Sequence, residues 1–236
     1  MTTSGVSTFN PVRDTIIKGA LRLIGAYPAR SIPKPHQVSD ALEALNMLMK
    51  SWQVEGFLWL KEFATLDLAA EQASYDLPGT GFTGSGRPTR LFNLMRVDSS
   101  GNAIPLGEDG RPISRREYQE IPVKSSPGPP LKVYYDPQLS TGKLYVWPVP
   151  VDNSYKLEFT CDRPIEDMLD DENTFDVPPE QIRRIKYALA LELAPEYALP
   201  GGEYDRLAAR YETIAKALID FDQETSTIQI MPGGYR

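Results

Sequence analysis

Cysteine and histidine are nearly absent from this chain of 236 residues: Cys161 and His36 stand alone. A single cysteine excludes an intrachain disulfide, and one residue of each kind is too few for a structural zinc site of four ligands. Any histidine-dependent triad would have to use His36, which follows Pro35 at the start of a helical pattern and reads as a surface or capping group. Long apolar runs are also missing, with no stretch near the ~20 residues that span a bilayer. The first residues, Met1 to Gly5, lack the charged-then-apolar pattern of a leader, which makes the cytosol the default compartment. Basic charge is scarce in the last third. Residues 1–62 carry 7 basic and 5 acidic side chains, 63–160 carry 10 and 11, and 161–236 carry 8 and 16, for a formal charge of −7 overall. That distribution repels phosphate and argues against a chain that grips DNA along its whole length.

What is present is an ordinary globular composition, 41% hydrophobic and 24% charged, enough for a core without metal or disulfide support. Asn10 is placed to cap a first helix with Pro11 at its first position, and Val12, Ile16, Ala20 and Leu23 form its apolar stripe up to Gly25. Val38, Leu42, Leu45, Met49 and Trp52 repeat the pattern in a second helix, stopped by Gly56. From about Phe63 the period changes to two. Thr65–Leu68, Ser74–Leu77, Arg90–Val97, Leu131–Tyr135, Lys143–Trp147 and Tyr155–Thr160 read as strands separated by Gly-, Pro- and Ser-rich turns. The helical period returns after Pro178 and Pro179, with Ile182, Ile185, Leu189 and Leu193. It is cleanest in Tyr204, Leu207, Tyr211, Ile214, Leu218 and Phe221. Residues 225–236 lose it.

This order predicts an α+β fold. The N- and C-terminal helix pairs, residues 1–60 and 176–224, would form a four-helix bundle. Residues 61–175 would form an inserted antiparallel β sandwich or barrel-like module, and residues 225–236 an extended C-terminal arm. In that arm Ile228, Ile230, Met231 and Tyr235 are apolar or amphipathic, and Ile228 and Ile230 alternate as in an edge strand, a pattern suited either to contacting a partner or to a frayed terminus that folds back on its own bundle.

Three motifs invite chemistry. The stretch Gly79–Gly84 matches the spacing of a dinucleotide fingerprint, but a strand rather than a helix follows it, so it reads as a Gly-rich hairpin loop. Glu166, Asp167, Asp170, Asp171 and Glu172 could hold a divalent cation in a metal-dependent enzyme, though their spacing does not match an EF-hand loop and a solvated approach to the next helix accounts for them. Arg111, Arg115 and Arg116, near Tyr118, could bind phosphate in a nucleic-acid-binding module, contact a protein partner, or guard a sheet edge. No nucleophile–base pair or phosphate loop emerges, so no cofactor is expected and the chain reads as structural rather than enzymatic.

The segments Ile17–Gly25, Ala41–Gly56, Lys143–Pro148, Asp176–Glu180 and Tyr187–Tyr197, in this order, resemble the head-to-tail adaptor (connector) proteins of short-tailed bacteriophages, the class also called tail tubular protein A or packaged-DNA stabilisation protein. The resemblance implies a dodecameric ring of neighbouring adaptor subunits in the virion neck, assembled in the host bacterial cytoplasm. The ring would sit under the portal protein, extend the DNA channel, help retain packaged double-stranded DNA without sequence-specific contacts, and dock the tail nozzle or tube protein. No membrane is involved. Portal binding is then expected of Ile228, Ile230, Met231 and Tyr235, and partner or edge contact of Arg111, Arg115 and Arg116.

Overall fold

The computed structural model describes residues 9–221, except 29, 56, 108 and 171. In chain order its elements are α1 (Arg13–Leu23), α2 (Pro35–Glu55), β1 (Lys61–Asp67), β2 (Ser74–Leu77), β3 (Arg90–Val97), β4 (Ala103–Pro105), α3 (Arg115–Gln119), β5 (Lys132–Asp136), β6 (Gly142–Trp147), β7 (Lys156–Asp162), α4 (Ile182–Leu193) and α5 (Gly201–Phe221). The chain divides into two compact units, Met1–Trp52 with Asp167–Arg236, and Gln53–Glu166. No described helix is long and apolar enough to cross a membrane.

The first unit is helical. Ile16, Ile17, Ala20 and Leu21 of α1 are buried, and α1 packs on α4, which buries Ile185, Leu189 and Leu193. Gly19 allows this approach: a Cβ there would lie 2.9 Å from Cε of Lys186. Asp14 in the first turn of α1 takes an ion pair from Lys18 at 2.8 Å, and that hydrogen bond holds its carboxyl below the usual range. The helix starts at Arg13 behind Val12, which offers no side-chain cap. Asn10 is not the cap that its position in the sequence suggests. Its amide instead donates to the Phe175 carbonyl and its Oδ1 accepts from the Phe175 amide, both at 3.2 Å. That exchange extends the bridge between Val12 and Thr174 and ties the start of α1 to the segment leading into α4.

The helices do not form the four-helix bundle that the periodicity predicts; among the described residues the fold is mixed α/β, with five helices and two antiparallel sheets. A bundle needs four helices of similar length around one shared seam. Here the close pairings are α1 on α4 and α4 on α5, with α4 in the middle. The short α1 and α4, 11 and 12 residues, cannot cover the 21 residues of α5. Among the described side chains of the predicted α5 stripe, Leu207 and Ile214 are buried, whereas Tyr204 is 40% exposed. The other long helix, α2, buries Ala41, Leu45, Met49 and Trp52, and the Arg184 guanidinium of α4 lies 4.4 Å over the Trp52 ring.

The second unit holds both sheets. One has the order β1-β7-β3-β4, the other β2-β6-β5, and every pairing is antiparallel. Alternation in each strand sends one set inward: Ala64 and Leu66, Leu157 and Phe159, Leu91 and Leu94 from the first sheet, Tyr75 and Leu77, Leu144 and Val146 from the second. They share one buried cluster, which is compatible with the expected sandwich. An irregularity between Phe92 and Met95 puts Asn93 at φ 50° and turns Leu94 inward. Cys161 is buried in this core, and burial first, then Glu62, pushes its thiol up to about 12.

Candidate functional site

Arg115 and Arg116 open α3, a short helix that the sequence reading missed. Its signal is a capping box: Ser114 Oγ accepts from the Glu117 amide at 3.2 Å, and Glu117 Oε2 accepts from the Ser114 amide at 2.7 Å. Those bonds to Ser114 hold the Glu117 carboxyl below its ordinary range. Arg115 donates through Nε to the Tyr134 hydroxyl at 2.9 Å and through Nη2 to Asp136 at 3.0 Å, and both partners raise its pKa, Tyr134 first. Arg116 donates to Glu120 at 2.9 Å. Arg111 is exposed before the helix. Its carbonyl lies so close to Gly107 (φ 63°) that a Cβ there would sit 2.5 Å away. The three arginines therefore share one segment but do not converge on one point, and two of them already face their own carboxylates.

Tyrosines complete this surface. Tyr134 of β5 stacks on both Tyr118 of α3 and Tyr145 of β6, with centroids 5.2 and 5.8 Å apart, Tyr118 and Tyr145 are tilted at 5.2 Å, and the Lys124 ammonium lies 5.4 Å from the Tyr118 ring centre. Tyr134 and Tyr145 are cross-strand partners, so the sheet register itself makes the pair. The rings face one another, which leaves little room for a nucleic-acid base between them. The arrangement clamps α3 onto the sheet and presents a charged rim.

The other motifs resolve into local structure. Within the acidic run, Lys50 pairs with Asp167 at 2.7 Å, Asn46 exchanges hydrogen bonds with the Met168 backbone, and Asn173 Oδ1 accepts from the Leu169 and Asp170 amides. Glu166, Asp170 and Glu172 are exposed, Asp171 lies outside the described residues, and no three potential ligands gather among the described ones. The Gly79–Gly84 loop pairs with β1: the Asp67 amide donates to Gly81, the Thr83 amide to Thr65, and Leu66 bridges Phe82. It borders an open cleft of about 790 Å³ that also includes Asp67, Tyr75, Asp76 and Lys156. The Tyr75 hydroxyl is engaged there by Ala69 and Gln72. His36 is exposed in the first turn of α2.

The arm residues Ile228, Ile230, Met231 and Tyr235 lie outside the described residues. One surface that the sequence hid is a groove of about 290 Å³ between the start of α4 and the second half of α5, lined by Arg183, Arg210, Ile214, Ala217 and Leu218 among others. Periodicity marked Ile214 and Leu218 as a seam but gave no sign that the seam would stay partly open.

No curated protein matches the chain. The pattern of one family does, over residues 14–231, which takes in both units. Because that match spans nearly all of the described helices and both sheets, the chain belongs to the SU10 adaptor protein family and is a structural adaptor of a phage.

Proposed function

We propose that this adaptor is the repeating subunit of a ring that joins the portal to the tail of a short-tailed phage. The family match over residues 14–231 carries the reading, and membership implies a structural protein of the virion neck that meets portal and tail components. In the proposal the ring is a dodecamer assembled in the host cytoplasm. It extends the DNA channel, helps hold the packaged genome, and offers its far face to the tail nozzle. The acidic last third suits a lumen along which DNA slides without sticking. Ring closure needs two different complementary surfaces on each subunit. The open side of α5 and the charged rim around Arg111, Arg115 and Arg116 are two such candidates. The arm at Ile228, Ile230, Met231 and Tyr235 is the proposed portal contact.

The test is to image the purified chain alone and mixed with the portal of the same phage. The expected result is separate subunits alone at low concentration and a ring under the portal after mixing. Replacing Ile228 and Ile230 with Asp is expected to abolish attachment without moving the melting temperature. Absence of any ring on portals overturns the adaptor-ring reading, and normal attachment of the double variant overturns the arm contact.

A further inference from the structure

The sheet β2-β6-β5 carries a knob at one end and a groove at the other. Residues 137–141 turn the chain from β5 into β6. In that turn Leu139 is 96% exposed, more than any other large apolar side chain among the described residues. The Gln138 amide donates to the Asp136 carbonyl at 2.9 Å and its side chain to the Asp136 carboxylate at 3.2 Å, which fixes the turn at the residue before Leu139. The groove has a volume of about 550 Å³ and a mainly apolar lining: Val149 and Pro150, both buried, half-buried Ala73, and exposed Pro127 and Val151. Three backbone hydrogen bonds of 2.9 Å hold its walls together, from the Gly128 amide to Val149, from the Val149 amide to Ser126 and from the Glu71 amide to Pro150.

Strand register puts the two at opposite ends. Asp136 pairs with Lys143 beside the turn, and Lys132 pairs with Trp147 at the far end. Residues 149–151 come just after β6, residues 125–127 shortly before β5, and Ala73 just before β2, where its carbonyl accepts from the Val146 amide. The five residues of β5, about 17 Å of strand, therefore separate knob from groove. Charge suits one to the other. The groove has one group of each sign, Glu71 and Lys124, and Lys124 is held by the Gln119 and Ile121 carbonyls at 3.3 and 3.1 Å. No residue from Pro137 to Gly142 is charged. The turn is flanked by one group of each sign, Asp136 and Lys143, which their own chain pairs with Arg115 and Asp76. A strongly acidic or basic segment would meet a like charge in the groove. The uncharged turn does not, and one orientation sets Lys143 toward Glu71 and Asp136 toward Lys124.

We infer that Leu139 of one copy sits in the groove beside Ala73, Val149 and Val151 of the next. A knob and a groove at opposite ends of one sheet meet only between copies, head to tail, which is the heterologous kind of contact that a ring repeats. The inference rests on the ring reading for its setting and goes beyond it by naming the contact. One leucine covers little area, so the contact sets the register of neighbours that the portal already holds close, and adds little to the stability of either copy. Free subunits at low concentration then stay apart.

Cross-linking of the full chain reads the contact by itself. Ser140, next to Leu139, and Ser125, in the groove lining, are both exposed, and the buried Cys161 is a silent background. Chains with Ser140→Cys are mixed with chains carrying Ser125→Cys, without portal and near the solubility limit. A short bismaleimide then traps brief encounters irreversibly. The expected result is mixed product about tenfold above the symmetric products that each variant gives alone, because docking raises the local concentration of one thiol at the other. Adding Leu139→Asp to the Ser140→Cys chain should bring the mixed product down to the symmetric level. Equal yields of the three products overturn the inference, as does mixed product that Leu139→Asp leaves undiminished. Dominant symmetric product also overturns it, since that assigns a two-fold pairing. The ring reading is read separately on portals. Leu139→Asp should keep its melting temperature and give incomplete rings where the unaltered chain closes them. Complete rings of the variant overturn the inference and leave the ring reading standing. Absence of rings from the unaltered chain overturns the ring reading, and the cross-linking pattern still decides the contact.

Discussion

The sheet unit completes its own core, whereas the helical unit leaves one of its helices half open. In the sheet unit Leu66, Leu77, Leu144 and Leu157 are wholly inaccessible. The outer edge of β1 is met at its Thr65–Asp67 end by residues 81–83 of the loop after β2, so the Thr65 and Asp67 amides and the Thr65 carbonyl have partners within the same chain. In the helical unit α5 runs for 21 residues and buries two side chains among those described, Leu207 and Ile214. The difference teaches where a neighbour would add stability. A closed sandwich gains little from one, but a long helix seated on a shorter α4 gains a second wall. The two units should accordingly respond differently to the same kind of truncation.

The largest loss is expected in the sheet core. Phe159 is 1% exposed and stacks near Phe82 with centroids 6.1 Å apart, so Phe159→Ala removes a large ring from a packed interior. The expected cost is about 3–5 kcal/mol in urea unfolding. A loss below about 1 kcal/mol would mean that the sheets do not share this core. A smaller effect is expected at Ile214, which is buried but borders the open groove. Ile214→Ala should cost about 2 kcal/mol, at the low end of buried truncations, because the site can relax toward the groove. A loss as large as that of Phe159→Ala would show that α5 is enclosed after all and would remove the contrast between the units.

The same contrast explains what could be read from the sequence. Arg90–Val97 and Ser74–Leu77 were legible to the residue, because alternation between turn clusters leaves little freedom in a half-buried strand. β4 was not: Ala103, Ile104 and Pro105 are all exposed, so no inside–outside pattern marks them. The helices were legible as helices, but their arrangement was not. A stripe such as Leu207, Tyr211, Ile214 and Leu218 says that a face tends to be covered, and says nothing of which helix covers it or whether the cover belongs to the same chain. At the candidate contact surface Arg115, Arg116 and Tyr118 were visible as residue types. Their partners Tyr134, Asp136 and Tyr145 come from distant strands and were not, although Ser114 and Glu117 at capping-box spacing did announce the helix that carries them.

A subtler probe of the sheet unit is its acid response. Asp162 is 2% exposed at the end of β7, paired in register with Lys61 on one side and Arg90 on the other. Desolvation raises its pKa, and the nearby Arg90 and Lys61 charges only partly offset that. A carboxyl whose folded pKa is raised binds protons more readily in the folded state, so its contribution to stability grows as pH falls through the folded pKa towards the unfolded one. Wild type should therefore gain melting temperature relative to Asp162→Asn as pH is lowered toward 4. A constant difference across pH would show that the folded state does not raise this pKa. The helical unit offers the opposite sign in Asp14, whose lowered pKa makes its contribution present above the unfolded value of about 4 and lost below it.

The smallest effect on stability is expected at Arg116, and for that reason its substitution is the most informative about partners. Its side chain is 88% exposed and that of Glu120 is 61% exposed, so their ion pair stands in water. Such pairs contribute about 0–0.5 kcal/mol, and α3 is held by its capping box and by Tyr118 stacked on Tyr134 instead. Arg116→Ala should leave urea unfolding unchanged, whereas Arg115→Ala removes the bonds to Tyr134 and Asp136 and should loosen α3, seen as faster amide exchange at residues 115–119. Portal and tail binding then separates the roles. Unchanged unfolding with weakened, salt-sensitive binding makes Arg116 a partner contact. Unchanged unfolding with unchanged binding makes it an exposed charge that discourages stray strand pairing beside β5. A clear loss of stability would contradict both, because it would require Arg116 to hold the fold from a position almost entirely in solvent.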